Sequence, residues 1–385
     1  MLPALRTPAT RRRYAVIFSF SREQDELRAT VRRFLAASSP AGEVRRLMET
    51  ERGYDEAVWT RMAQQLGLQG LAVPEQYGGS GCGPVEQAIA MEEMGRVLLC
   101  APYLSTAVLA AQAILSSHDP EAATRYLPGI CDGTTVATVA VAEDAAHDRS
   151  PILARPAGPA YRLDGHATFV LDGRNADLLL VPADGDDGPT LFAVSGDTPG
   201  LARRAVDTLD RTRKQAVIDL DDVAAARVGR TGAAREILDR AVRAAAVALA
   251  AEQVGGAQRC LDMSVDYAKS RRQFGRPIGS FQAVKHLCAD MLLDVESARS
   301  AAYYAAWAAA DGQDDAVLAA SLAKALCSEV YLRTAARTIQ VHGGIGFTWE
   351  HDAHLYFRRA KSTEVMLGTP QEHRERSAAL LLAAT

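Results

Sequence analysis

Apolar and polar positions change their rhythm three times along this chain. From Ser21, which can cap a helix whose first turn carries Glu23 and Asp25, the residues Leu27, Val31, Phe34 and Leu35 recur at helical spacing. Further helical segments follow at Ala57 to Leu66, Pro84 to Val97 and Thr106 to Ser116, separated by breaks such as Tyr77-Gly78-Gly79-Ser80-Gly81. Between Gly133 and Gly229 the rhythm becomes short β-type runs: Val136 to Val141, Tyr161 to Leu163, Leu178 to Val181, Leu191 to Val194 and Ala216 to Leu220. No helix-period segment separates these runs, so an antiparallel sheet or barrel is expected rather than a doubly wound parallel sheet. From Gly232 onward long helices return, at Gly232 to Ser270, Phe281 to Asp311, Asp314 to Val341 and Gln371 to Leu382, and their short connections predict an antiparallel four-helix bundle. The expected fold class is α+β, mostly α, with an N-terminal helical domain (21–130), a middle antiparallel β domain (131–230) and a C-terminal bundle (231–385).

Composition narrows the function classes. With 385 residues, 48% of them hydrophobic, the chain can bury cores without disulfide or metal staples. A formal net charge of -4 offers no basic surplus for nucleic acid, although a basic pocket for one phosphorylated ligand is compatible with it. The six cysteines are scattered, without a C-x-x-C pair, which points to reduced thiols and a cytoplasmic protein. No apolar run is long enough to span a membrane; the alanine stretch Ala244 to Ala251 is bracketed by Arg243 and Glu252. Residues 1–20 hold Arg6, Arg11, Arg12 and Arg13 and only a short apolar run. That is too little for a signal peptide and fits a transit peptide, a disordered leader or an overcalled start.

Two segments carry candidate chemistry. The loop from Ser270 to Gln282 gathers Arg271, Arg272, Phe274, Gly275, Arg276 and Phe281 between two long helices. Guanidinium groups pair bidentately with phosphate and an aromatic offers a flat apolar surface, so the composition suits an anionic, aromatic ligand; the same residues also fit a plain helix stop. Gln340-Val341-His342-Gly343-Gly344-Ile345-Gly346-Phe347 ends a helix with glycines that let a backbone approach a ligand closely, and it too fits a helix stop. His351 and His354 are spaced for one helix turn, but no third ligand accompanies them and no metal is expected.

Taken together these segments closely resemble the acyl-CoA dehydrogenases. The match is collinear: R-x-x-F-G-x-x-I-x-x-F-Q from Arg271, the Q-x-x-G-G-x-G-F run from Gln340, and Phe357-Arg358-Arg359-Ala360-Lys361 leading to Gly368-Thr369-Pro370-Gln371. The early Pro74-Glu75-Gln76-Tyr77-Gly78-Gly79 turn is similar to the family's as well. The resemblance implies FAD as cofactor and an acyl-CoA thioester as substrate, with α-proton abstraction and β-hydride transfer to flavin N5. By matching position it assigns Arg271, Phe274, Phe281, Gln282, Gln340, Gly343 and Gly344, with Thr369 and Gln371, to FAD held partly by the adjacent subunit. A homodimer or homotetramer is implied, or a heterotetramer with a glutamate-bearing paralogue.

The departures from the family's pattern lie on one side. The catalytic glutamate that the resemblance calls for would stand at Leu367, or in a minority of members at Ala245. Losing a positioned base costs on the order of 10² to 10⁴ in rate. Glu252 lies on about the same helix face as Ala245, roughly 10 Å along the axis, and Glu364 just precedes Leu367. The family's flavin-facing T-E-P-x-x-G-S loop reads Ala142-Glu143-Asp144-Ala145-Ala146 and its W-I-[ST] strand Phe169-Val170-Leu171; its CoA-positioning D-x-x-R pair falls on Arg243 and Ala246. Two readings follow: an FAD-dependent acyl-CoA dehydrogenase with an unusual base, or a non-catalytic subunit lending half an FAD site to a catalytic partner. A flavin monooxygenase on the same fold is a third. The substrate's acyl group and the electron acceptor are not specified by these residues.

Overall fold

Ser21 sets the first element through a capping box in which its hydroxyl accepts from the Gln24 N–H and the Gln24 side chain accepts from the Ser21 N–H. The computed structural model describes residues 19–140, 151–158, 160–185, 188–312 and 315–383; the leader up to residue 18 and the Ala142–Ala146 loop lie outside the described residues. Helices α1 (Arg22–Ser38), α2 (Ala41–Met48), α3 (Glu56–Gln64), α4 (Pro84–Arg96), α5 (Ala111–Ser116) and α6 (Pro120–Cys131) make up the first part. The segment expected as one helix from Thr106 begins instead with π-helical turns over Leu104–Ala110. There the Thr106 hydroxyl both donates to the Ala137 carbonyl and accepts from the Ala137 N–H, so tertiary bonds to the first strand accompany the wider turn.

Among the described residues seven strands follow: β1 (Ala137–Val139), β2 (Ile152–Ala157), β3 (Ala160–Leu171), β4 (Leu178–Gly185), β5 (Gly188–Ser195), β6 (Leu201–Ala205) and β7 (Gln215–Val228). The ladder β4-β2-β3-β7-β5 returns from β5 to β4 and so closes, with β1 on β4 and β6 on β7. Most pairs are antiparallel as expected, but β1 and β2 each join β4 in parallel. The intervening β2–β3 hairpin supplies the crossover length that a parallel neighbour of β1 needs. Alternation explains why β4 and β5 read as unbroken apolar runs. Leu179, Val181, Phe192 and Val194 point into the barrel, whereas Leu178, Leu180, Leu191 and Ala193 belong to the helical core on the other face.

The last part contains α7 (Ala234–Ser270), α8 (Gln282–Ala310), α9 (Ala316–His342), α10 (Ala353–Val365) and α11 (Pro370–Ala383). The short α10, additional to the expected four, packs on α9 and α7. Because α8 runs back between them, α7 and α9 end at the same pole of the bundle. Among the described residues no helix is long and apolar enough to cross a membrane.

Glycine permits a close crossing of α4 and α7. A Cβ built on Gly255 of α7 would lie 1.8 Å from the Glu92 carbonyl oxygen, and one on Gly95 of α4 would lie 2.0 Å from the Glu252 carbonyl oxygen. Each contact is with backbone, so neither can be relieved by a rotamer change. Gly255→Ala is expected to cost about 1–3 kcal/mol or more, seen as a lowered midpoint in urea unfolding; an unchanged midpoint would show that the crossing is looser than described.

Candidate cofactor site and the catalytic positions

At the C-terminal pole α7 runs out at Ser270 and the chain turns through a two-residue hairpin, Arg272–Gln273 pairing with Arg276–Pro277. Phe274 and Gly275 at its tip both have positive φ, +52° and +77°, the backbone twist that a type I′ turn demands. A left-handed Phe is uncommon, and its ring is 91% exposed. The Phe281 ring lies edge-on at 6.1 Å from Phe274 and carries the Arg276 guanidinium at 4.1 Å, a cation–π contact that stiffens the loop. Arg271 makes no side-chain contact with a partner among the described residues, and Gln282, the first residue of α8, is exposed.

The end of α9 meets this hairpin. His342 Nδ1–H donates to the Thr338 carbonyl at 2.7 Å, and the ring stacks on Tyr267 at 4.4 Å. Tyr267 in turn accepts the Arg271 N–H at 2.8 Å, so the two segments are tied together. Beyond His342, Gly343 takes φ +62°; a Cβ on Gly343 or on Gly344 would meet nothing within 4 Å. Gln340, Gly343 and Gly344 are all exposed, beside Phe347 at 80%. The His351 ring lies tilted against His342 at 4.2 Å and His354 lies edge-on to Trp349; among the described residues no cluster suits a metal.

Thr369 and Gln371 are not brought to this pole. The Lys324 ammonium on α9 donates to the Gly368 carbonyl at 3.2 Å, and Gly343 lies about 28 Å further along that helix. Thr369 and Glu372 form a capping box for α11: the threonine hydroxyl donates to Glu372 Oε2 at 2.9 Å and accepts the Glu372 N–H at 3.3 Å. Gln371 Nε2 donates to Glu375 at 2.9 Å.

The two positions where the resemblance calls for a base hold no carboxylate. Ala245 is fully buried in α7. Leu367 sits at φ +59° and packs on the helical core, its carbonyl accepting from His373 Nε2 at 3.0 Å. Burial of Lys324 beneath this loop pushes its ammonium down to about 8. Glu364 is paired with Lys361 at 2.6 Å.

Glu252 is no free base either. Its Oε2 meets Arg213 and its Oε1 meets Arg359, each at 2.7 Å. Burial would raise its carboxyl, but the charges of Arg213 and Arg359 outweigh that and hold it below the usual range. Arg359, 2% exposed, also contacts Asp210 at 2.7 Å and the Thr212 hydroxyl at 2.5 Å. Arg213 places Nη1 3.8 Å from Met366 Sδ, next to Leu367, so an ion pair occupies the ground between α7 and the Leu367 loop. Spacing gave no sign of this cluster, because an arginine read from sequence alone is assigned to the surface. On the barrel side Phe169 is half-exposed, and the Leu171 carbonyl accepts from the Thr138 hydroxyl at 2.6 Å.

A family profile described as "Acyl-CoA dehydrogenase, N-terminal domain" matches residues 21–134, and one described as "Acyl-CoA dehydrogenase, C-terminal domain" matches residues 236–382. The chain is similar to the acyl-CoA dehydrogenase IpdE2 of Mycobacterium tuberculosis, with 34% identity over 356 residues, 91% of this chain and 94% of IpdE2. Among solved structures it is similar to a variant of the Tcur3481-Tcur3483 steroid ACAD, with 35% identity and a TM-score of 0.85 over 94% of this chain and 99% of that one. It is also similar to the ChsE4-ChsE5 complex from Mycobacterium tuberculosis, with 32% identity and a TM-score of 0.86 over 96% and 99% of the two chains.

Two outcomes follow from the buried charges. Arg359→Leu leaves Asp210 short of its cation and Glu252 with one guanidinium, and is expected to cost about 3–5 kcal/mol in urea unfolding; a loss under about 1 kcal/mol would show the cluster to be solvated. Burial pushes His373 down to about 4, and His342, His351 and His354 are also lowered by burial. Unfolded histidine titrates near 6.5, so the stability tied to these neutral rings is complete above that pH and drains away as pH falls toward 4. Urea midpoints should fall across that window, and His373→Gln should flatten the slope; a slope unchanged by the substitution would assign the acid lability elsewhere.

Proposed function

The chain belongs to the acyl-CoA dehydrogenase family, and from that premise we propose that it works as one subunit of a hetero-oligomeric FAD-dependent acyl-CoA dehydrogenase, lending half a cofactor site to a partner that carries the base. The observation that carries this reading is the contrast between the two poles. At one, the Arg271 side chain has no hydrogen bond or ion pair among the described residues, Phe274 stands out from its hairpin and the Gly343–Gly344 backbone is open. At the other, Leu367 and Ala245 stand where the family's glutamate is called for, and both nearby carboxylates, Glu252 and Glu364, are spent in ion pairs.

The residues present fit the cofactor's diphosphate end. A guanidinium at Arg271 with no partner among the described residues offers a bidentate contact for a phosphate, and the exposed Gly343 and Gly344 let a ligand approach the backbone without steric cost. Phe274 and Phe281 give apolar surface, and Gln282 and Gln340 amide donors and acceptors. Bound there, FAD would supply the hydride acceptor for the β carbon of an acyl-CoA thioester, while the α proton needs a carboxylate that neither Leu367 nor Ala245 offers and that Glu252 and Glu364 hold in ion pairs. Thr369 and Gln371, at the opposite pole, would address a different cofactor copy. Two similar structures, a Tcur3481-Tcur3483 steroid ACAD and a ChsE4-ChsE5 complex, pair different chains and support the hetero-oligomeric reading.

Co-expression with a glutamate-bearing paralogue should yield a yellow complex that reduces an electron acceptor when given an acyl-CoA, whereas the chain purified alone should do neither. Within the complex, Arg271→Ala should weaken flavin retention by roughly tenfold or more, the worth of a charge-assisted pair. Gly344→Ala, which meets no neighbouring atom, should leave the melting temperature unchanged while lowering flavin content. A yellow, thioester-oxidising homo-oligomer of this chain would refute the proposal and favour a dehydrogenase with an unusual base.

A further inference from the structure

Under the turn between α1 and α2 the N-terminal helices meet the bundle around a cavity of about 240 Å³. Its floor is apolar: Leu35 of α1, Val44 of α2, Leu98 just beyond α4 and Leu355 of α10 line it, and each is at most 3% exposed. The exposed Ala36 and Ala41 mark its mouth. Such a volume is below the roughly 300–1,000 Å³ of a drug-sized site, so it suits a molecule of metabolite size. The cavity contains none of the residues of the proposed FAD pole, neither of the positions Leu367 and Ala245, and neither Arg243 nor Ala246.

Charge around this floor does not cancel. Glu93 is paired with Arg32 at 2.7 Å and Asp352 with Arg45 at 2.7 Å, while Arg96 is held by Asp262 at 2.6 Å. Arg259 of α7 lines the same space, half-buried, and has no carboxylate partner among the described residues. Beside it stands the Tyr356 hydroxyl, which donates to the Arg96 carbonyl at 2.8 Å and whose ionisation is opposed by burial. A neutral phenol leaves the guanidinium charge uncompensated. The N-terminus of α2 adds partial positive charge, since Pro40, which also lines the cavity, brings no side-chain cap.

We propose that this cavity binds a small carboxylic acid with an apolar body, its carboxylate held by Arg259 and its hydrocarbon part laid on Leu35, Val44, Leu98 and Leu355. A guanidinium takes both oxygens of a carboxylate side by side, and the aliphatic floor gains by losing its contact with water. A fully polar anion would leave that floor wet, and an uncharged hydrocarbon would face Arg259 without a counter-charge. The two halves of the site therefore select an amphipathic acid. Because α1, α2, α7 and α10 all contribute to the wall, an occupant bridges the N-terminal helices and the bundle, and its binding stabilises the folded chain.

Calorimetric titration of the full-length protein with hexanoate, and separately with cyclohexanecarboxylate, tests this. Saturable binding, with a melting temperature that rises with ligand concentration, is expected for at least one of them. Acetate, which lacks the apolar body, and hexanamide, which lacks the charge, should each bind roughly tenfold more weakly or worse. Arg259→Gln should reduce affinity by roughly tenfold or more and keep the melting temperature of the free protein, since no ion pair is lost. Ala36→Trp, at an exposed helix position, should close the mouth and abolish binding while leaving the fold intact. Failure of both acids to bind at millimolar concentration, or full affinity retained in either variant, would overturn the site. The probes are free acids and the readout is binding, not turnover, so neither result bears on the FAD proposal.

Discussion

A single guanidinium taken out of water ties this molecule together. Arg359 projects from α10 onto Glu252 of α7 and onto Asp210 and Thr212 from the loop between β6 and β7. Its Nη2 also approaches the Leu99 carbonyl of the N-terminal helical region at 3.5 Å. Barrel, bundle and N-terminal helices thus share one buried charge. Such a cation is tolerated only when its carboxylates stay in place, since a lone buried charge is far costlier than a paired one. The arrangement couples the position of the barrel to the axis of α7. A second buried network repeats the logic on the other flank, where Glu92 of α4 meets Arg28 of α1 and both Arg299 and Tyr303 of α8.

Close approach of backbones lets these charges meet. The α4–α7 crossing at Gly95 and Gly255 brings the Glu92 and Glu252 carbonyls to where a methyl group would stand. Glycine lowers helix propensity by about 1 kcal/mol relative to alanine, a local penalty offset by contacts that side chains would have kept apart. Both networks sit beside this crossing, so helix spacing and charge pairing are one constraint and not two.

Much of this is legible in the sequence. The Ser21 cap, the change to strand rhythm near residue 133 and the long bundle helices follow from local chemistry, and the structure places them within a few residues of expectation. The apolar runs at Leu178 and Leu191 marked strands, though not that each strand has a core on both faces. What stayed hidden is non-local. The parallel pairing of β1 with β4 depends on chain closure, and the π-helical turns at Leu104 go with bonds to β1. The tip at Phe274-Gly275 lacks the Asn-Gly signature of a tight hairpin, so its left-handed Phe was not foreseeable. The segments at Arg271 and Gly343 stand out in the sequence as candidates for cofactor binding, but not the stacking of Tyr267 on His342 that ties the two together. Arg213 and Glu252 were just as opaque, for charged residues carry no label saying that they face each other.

The separation of the two poles along α9 has a consequence for counting. A chain that grips with one end and addresses its own reacting centre with the other takes part in two centres at once, each completed by a neighbour. In a closed pair of identical chains both centres are whole or neither is. In a pair where one chain has a working grip and a silent far end, only one centre of the two can be whole. Stoichiometry, one flavin for every two polypeptides, would then be written into the length of a helix.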